Sequence, residues 1–446
     1  MTETVESARP LLALLPFAAA VLVAVSGRWP NLREAWSIGA GVALIAAVFS
    51  MAADLAEGRA LQAQLFPLAP GVALALRVDA LGLVFAALSS CLWLLTTIYS
   101  IGYVRSLQEH AQTRYFCCFA VSVGAAVGVA LAANLLTFFL FYELLTMATW
   151  PLVVHKETAA AIRAGRVYLA YTLGAGTALL GGIAWTYAVA GSLDFQAGGF
   201  LPAAISSATV WGLFALLIVG VGTKAAVMPL HAWLPLAMIA PTPVSALLHA
   251  VAVVKAGVFG VLRVVGYVIG PGPLADVGAS HLLAGFAGAT IILASLAALA
   301  QDNLKRLLAF STVGQLSYVV LGAALLTRDS LTGAIQHMVN HGTLKITLFF
   351  CAGAIYVATG RERVSELAGL GRRLPVTMGV FAVAALALAG TPPAAGFLSK
   401  WYLIGGALEG HAWLAVGVLL ASSLLNLGYF VPIILAAFFR PLRDGE

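Results

Sequence analysis

Thirteen apolar runs, at about 10–27, 35–53, 78–103, 114–133, 134–153, 161–190, 209–228, 241–268, 282–300, 304–326, 331–358, 375–404 and 411–439, alternate with short stretches carrying charge, Gly or Pro. A helix needs about 20 apolar residues to cross a bilayer, so this pattern predicts an all-α polytopic membrane protein. Soluble domains carry roughly 25% charged residues; here 9% of 446 residues are charged and 61% are hydrophobic, which excludes them. The formal charge of +6 is spread over many loops without a basic block, which argues against nucleic acid. Residues 61–78 alternate around a Pro-Gly break and are too short to cross, so they read as a small hairpin or surface loop.

Cys91, Cys117, Cys118 and Cys351 all lie in apolar stretches without a CxxC or Cys/His pattern, and read as small packing residues. Glu3 and Glu6 stand against Arg9 where a signal peptide wants a basic segment, so the first apolar run is expected to be retained. Bases divide unevenly between alternate loops: fifteen fall on one side, including the tail, and five (Arg9, Arg59, Arg77, Arg263 and Arg328) on the other. Because Lys and Arg collect on the cytoplasmic side, the N-terminus is expected outside and the C-terminus in the cytoplasm.

The remaining four bases, Lys224, Lys255, Lys345 and Lys400, fall inside apolar runs, and all are lysines although the chain has six Lys and eighteen Arg. Arginine stays charged in a protein, whereas a buried lysine can give up its proton. Glu143 is the one carboxylate well within a run. Five such charges facing lipid would cost on the order of 12–17 kcal/mol, at about 2.5–3.5 each, so they must face protein, water or one another. His337, His341 and Lys345 are spaced i, i+4, i+8, one stripe of a helix on which a proton could pass. His249 lies one and a half turns before Lys255, on a different face. Two histidines at i, i+4 with no third ligand nearby do not make a metal site, and no nucleotide, haem or iron–sulfur motif is present. No catalytic residue, cofactor or metal is therefore expected.

Two runs are interrupted by proline near a lysine. Lys224 precedes Pro229 in the seventh, and Lys400 follows Pro392 and Pro393 in the twelfth. Breaks of this kind are tolerated where they line a cavity, and paired broken helices mark the binding site of inverted-repeat transporters. Seventh and twelfth are five runs apart, which predicts two five-helix units of opposite orientation. The chain is thus divided into helices 1–3 at 1–113, a first unit at 114–269, a second at 270–439 and a tail at 440–446. If protons cross from one unit to the other, the bases between are Lys255, His337, His341 and Lys345, and ordered water is expected to complete the path.

The stretches FYELLTMATWPLV, KAAVMPLHAWLPLAMIAPTPVSALLHAVAVVKAG, DNLKRLLAFSTVGQLSYV, HMVNHGTLKITLFF and GTPPAAGFLSKW resemble the antiporter-like proton-pumping subunits of respiratory complex I, Mrp-type cation/proton antiporters and membrane-bound hydrogenases. The resemblance spans essentially the whole chain. It implies a fourteen-helix fold, one more than the runs counted here, with two inverted five-helix repeats and broken helices 7 and 12. It also implies assembly beside other membrane subunits, including other antiporter-like ones, in a bacterial-type cytoplasmic membrane, with protons moved and Na⁺ a second candidate ion. It casts Glu143 as the partner of Lys224, Lys255 as the central lysine, His337, His341 and Lys345 as the connection, and Lys400 as the terminal ionisable group. Lysine at 400, where one complex I branch has Glu, argues against that branch, and the stretch APTPVSALLHAVAVVKAGVFGVLRV most resembles the D-type component of Mrp antiporters and its hydrogenase relatives. A stand-alone solute transporter would need a pocket of mixed polar groups, and a passive anchor would gain nothing from buried charge.

Overall fold

The computed structural model describes residues 3–441; the tail beyond Pro441, with Arg443, lies outside them. The longer helices are α1 (Arg9–Val25), α2 (Pro30–Ala56), α3 (Ala80–Ser106), α4 (Gln112–Ala130), α5 (Leu135–Val153), α6 (Ala159–Ala190), α7 (Ser207–Lys224), α8 (Thr242–Ile269), α9 (Ala279–Leu299), α10 (Leu304–Ala324), α11 (Arg328–Thr359), α12 (Pro375–Ala389), α13 (Ala395–Glu409) and α14 (Trp413–Phe439). Among the described residues eleven are long and apolar enough to cross a membrane; α1 and α12 are shorter apolar helices. The protein is an all-α polytopic membrane protein, and α12 and α13 are the two halves of the twelfth run.

Polar caps start the helices where the sequence turns from loop to apolar run. Asp79, Asn134, Thr158, Ser206, Asn303 and Thr327 each accept a hydrogen bond from the backbone N–H three residues on, satisfying donors that the first turn leaves free. α8 is buried along nearly its whole length, with only Gly266 and Tyr267 partly exposed, whereas about a third of the apolar stretch of α2 and of α14 is buried. The fold is therefore layered around α8, which also departs from regular geometry. It widens into π-helical turns at Leu247–Val251 and Val264–Ile269, the first marked by the Ala252 N–H donating to the Leu247 carbonyl. Such turns re-aim side chains and cluster at functional sites.

The segment 59–77 is a hairpin, β2 (Arg59–Ala69) antiparallel to β3 (Val72–Arg77), turning at Pro70-Gly71, where Gly71 takes φ +72°. A strand not foreseen from the sequence, β1 (Glu3–Glu6), adds parallel to β2 with Glu3 opposite Arg59. Cys351 is buried and the other three cysteines half-buried, all as free thiols.

The loop tally misplaces Arg263, and Arg33, 3% exposed in the first turn of α2, is buried as well. Arg263 lies within α8, 1% exposed, and its guanidinium donates to both carboxylate oxygens of Asp79 at 2.6 and 2.9 Å while facing the rings of Phe195, Phe259 and Tyr267. Residue 263 sits near the end of an apolar run, where charge alone cannot tell a loop from a buried last turn. Removing one partner of a buried pair costs about 3–5 kcal/mol. Asp79→Ala is therefore expected to destabilise the protein by about that amount, read as a fall in the midpoint of detergent-solubilised thermal unfolding.

Candidate functional site

The interior charges collect where the broken helices meet α8 and α11. On α5, Glu143 is half-buried and faces α6 at Gly176, where a Cβ would lie 2.7 Å from its Oε1. Its Oε1 stands 3.8 Å from Lys224 Nζ at the end of α7, close enough for charge attraction but too long for a hydrogen bond. The Lys224 ammonium instead donates to the Tyr142 carbonyl and sits 3.4 Å from the centroid of the Tyr142 ring. A cation held by a carbonyl and a ring face keeps partners while its carboxylate moves.

After Lys224 the chain leaves helical geometry until Trp233–Leu236, passing Pro229. α8 packs directly onto this break: a Cβ on Gly257 would collide with the Ala225 nitrogen and the Lys224 carbonyl carbon. Gly257→Leu therefore cannot be accommodated without separating α7 from α8. Overpacking of this kind costs about 1–3 kcal/mol or more, and the variant is expected to accumulate at a lower level and melt earlier than wild type.

Lys255 and His341 are fully buried, and Lys255 Nζ lies 2.6 Å from His341 Nδ1. This contact is a direct hydrogen bond between α8 and α11, so the water that the sequence calls for to complete the path is not needed at this step. The break in regular winding just before Lys255 separates its direction from that of His249. The His249 ring packs at 4.9 Å on Phe349, and neither of its nitrogens has a hydrogen-bond partner among the described residues. Lys345, one turn beyond His341, is buried with its Nζ likewise unpartnered among them.

Toward the other broken helix, the His337 ring lies 6.2 Å from that of His341 and stacks at 5.0 Å on Tyr318 of α10. His337 Nδ1 is 3.0 Å from Ser399 Oγ on α13. Lys400, next in sequence, donates to the Ala389 carbonyl at 2.6 Å and to Ser423 Oγ of α14 at 3.1 Å, 5.1 Å from the centroid of the Tyr318 ring. Its ammonium thus takes up a carbonyl from the end of α12, one of those a helix leaves free at its C-terminus. Pro392 and Pro393 lie in the non-helical link between α12 and α13.

Tyr142, Tyr318, Ser399 and Ser423 do not stand out in the sequence. Uncharged polar residues are common in apolar helices, and only proximity to a charge distinguishes these four.

Residues 132–426 match the family model described as NADH:quinone oxidoreductase/Mrp antiporter, TM. Subunit N of the NADH-quinone oxidoreductase of Desulforudis audaxviator is 34% identical over 348 residues, 77% of this chain and 69% of that protein. The A/B subunit of a probable K(+)/H(+) antiporter of Rhizobium meliloti is 34% identical over 76% of this chain, and the A1 subunit of a Na(+)/H(+) antiporter of Staphylococcus aureus is 34% identical over 73% of it. The chain spans only 34% and 42% of those two longer proteins. Among solved structures, one of the Mrp complex from Dietzia sp. DQ12-45-1b matches with a TM-score of 0.88 and 26% identity, over 98% of this chain and 81% of that one. An archaeal membrane-bound sulfane sulfur reductase shares the fold at a TM-score of 0.86 and 22% identity, over 98% of this chain and 90% of that one. With two thirds of its length matched by the family model and the fold shared throughout, this chain belongs to the NADH:quinone oxidoreductase/Mrp antiporter transmembrane family.

Proposed function

We propose that this protein is a proton-translocating, antiporter-like subunit of a multisubunit membrane complex. The observation that carries the reading is the succession of interior ionisable groups from half-buried Glu143 and buried Lys224, through Lys255 and His341, to His337 and Lys400. A proton taken up beside Glu143 resides on Lys224 and moves to Lys255 across the α7–α8 contact. It then transfers from Lys255 Nζ to His341 Nδ1, and leaves the opposite nitrogen toward His337 and Lys400. No hydrogen bond joins the two histidine rings, whose centroids lie 6.2 Å apart and whose Nε2 atoms have no partner among the described residues, so water carries that step. Lys345 and His249 flank the relay as further proton carriers.

Two five-helix units, 114–269 and 270–439, each broken beside a lysine, would give half-channels opening to opposite faces. With Arg263 removed from the tally, the bias of bases to one set of loops is stronger. It supports an N-terminus outside and a C-terminus in the cytoplasm of a bacterial-type inner membrane. Partners are other membrane subunits, antiporter-like ones included. The Mrp-type, D-like reading and the complex I or hydrogenase reading share this chemistry and differ in what drives it: exchange for Na⁺ or another cation, or a redox reaction in a neighbouring subunit.

The test is proton flux through the complex purified with its native partners and reconstituted in vesicles, followed with a pH-sensitive dye. Cation pulses that dissipate a pH gradient support exchange. Flux that appears only with an electron donor and quinone supports a redox-driven pump. Wild-type flux after Lys255→Met would overturn the relay, and solute-coupled flux by the isolated chain would establish a stand-alone transporter.

A further inference from the structure

Away from the buried relay, Glu109 and His110 in the turn joining α3 to α4 meet His155, just past the end of α5. Their candidate ligand atoms all lie within 4.8 Å of one another. His155 is fully buried, and neither ring nitrogen has a hydrogen-bond partner among the described residues. Its Nε2 points at Glu109 Oε2, 3.8 Å away, and its ring stacks at 4.8 Å on that of His110. A buried imidazole with both nitrogens unsatisfied is costly, and a metal ion held by one of them would answer part of that cost.

The surrounding charge suits a cation. Glu157 Oε1 lies 3.7 Å from His110 Nε2 and accepts from Arg114 at 2.6 Å; Arg114 also donates to the His155 carbonyl at 3.4 Å, and Lys156 follows in the chain. Glu109 and Glu157 offset Arg114 and Lys156, so no net positive charge opposes a divalent ion.

We propose that Glu109, His110 and His155 form a binding site for a divalent transition-metal ion of the zinc class. Two imidazoles and one carboxylate are a donor set that suits Zn²⁺, and three protein ligands leave a fourth position for water. His110 is half-exposed on its turn, free to close the remaining distance to bonds of about 2.0–2.2 Å. An ion there ties the α3–α4 turn to the end of α5, the helix that carries Glu143. The site does not depend on the proton relay, and the sequence could not show it because its ligands come from two loops.

The probe is Zn²⁺ alone, titrated calorimetrically into the purified complex, with Co²⁺ absorption reporting coordination geometry. Wild type is expected to bind one equivalent saturably, with a rise in melting temperature. His110→Ala and Glu109→Gln should each weaken binding on the order of 100-fold, since outer-shell losses alone amount to about 10–100-fold. Because His110 is exposed, its variant should melt as wild type does without zinc. Absence of saturable binding, or affinity unchanged in both variants, would overturn the proposal and assign any bound zinc to exposed histidines such as His281 and His411.

Discussion

Glu143→Gln is expected to lower proton translocation by the assembled complex about 100-fold, within the range of about 10²–10⁴ that a positioned proton-transfer group contributes, while leaving assembly intact. Glutamine keeps the shape of the side chain, and the pair at 3.8 Å makes no hydrogen bond to lose. What disappears is the negative charge beside Lys224, which leaves a buried ammonium without its counter-charge and the first step of the relay without its driving force. Glu143→Asp keeps the charge but withdraws it by one methylene, so an intermediate loss is expected. Dye-monitored flux in vesicles gives the first quantity, and a native gel of the complex gives the second. Wild-type flux from the Gln variant on an intact complex would remove Glu143 from the mechanism.

The ionisable core is legible in the sequence because charge inside an apolar run contradicts its surroundings. Glu143 and the four lysines each break a pattern that otherwise predicts lipid or packed apolar neighbours, and the prolines beside Lys224 and Lys400 mark where a helix must open. What is not legible depends on three-dimensional pairing. Nothing in the spacing of Lys255 and His341 says that they meet at 2.6 Å, because that distance follows from the π-helical turn at Leu247–Val251 and from the approach of α11. Arg263 reads as a loop residue because the end of an apolar run and a buried last turn look alike; the partner that settles its place, Asp79, is 184 residues away in sequence. β1 is hidden for a similar reason, since four residues carry no periodicity of their own and pair only because β2 offers an edge. The cluster of Glu109, His110 and His155 likewise exists only once α3, α4 and α5 are packed.

Lys400→Arg is expected to stop translocation as completely as Lys400→Gln, although it keeps the positive charge. The lysine fits a tight recess. Its Cδ lies 2.8 Å from where a Cβ on Gly390 would stand, and its Nζ is already matched to the Ala389 carbonyl and Ser423 Oγ. A guanidinium is wider, carries five donors where two acceptors are in place, and does not release its proton. The first two properties should destabilise the fold by about 1–3 kcal/mol, as overpacked positions do, read as a lower melting temperature. The third should stop delivery at the end of the relay even in molecules that remain folded. Gln separates the two effects, since it is smaller than Lys and uncharged: it should melt close to wild type yet fail to pump. Flux retained by Arg and lost in Gln would instead make Lys400 a fixed charge that organises the α12–α13 break, and would leave the terminal proton carrier to be sought at His337.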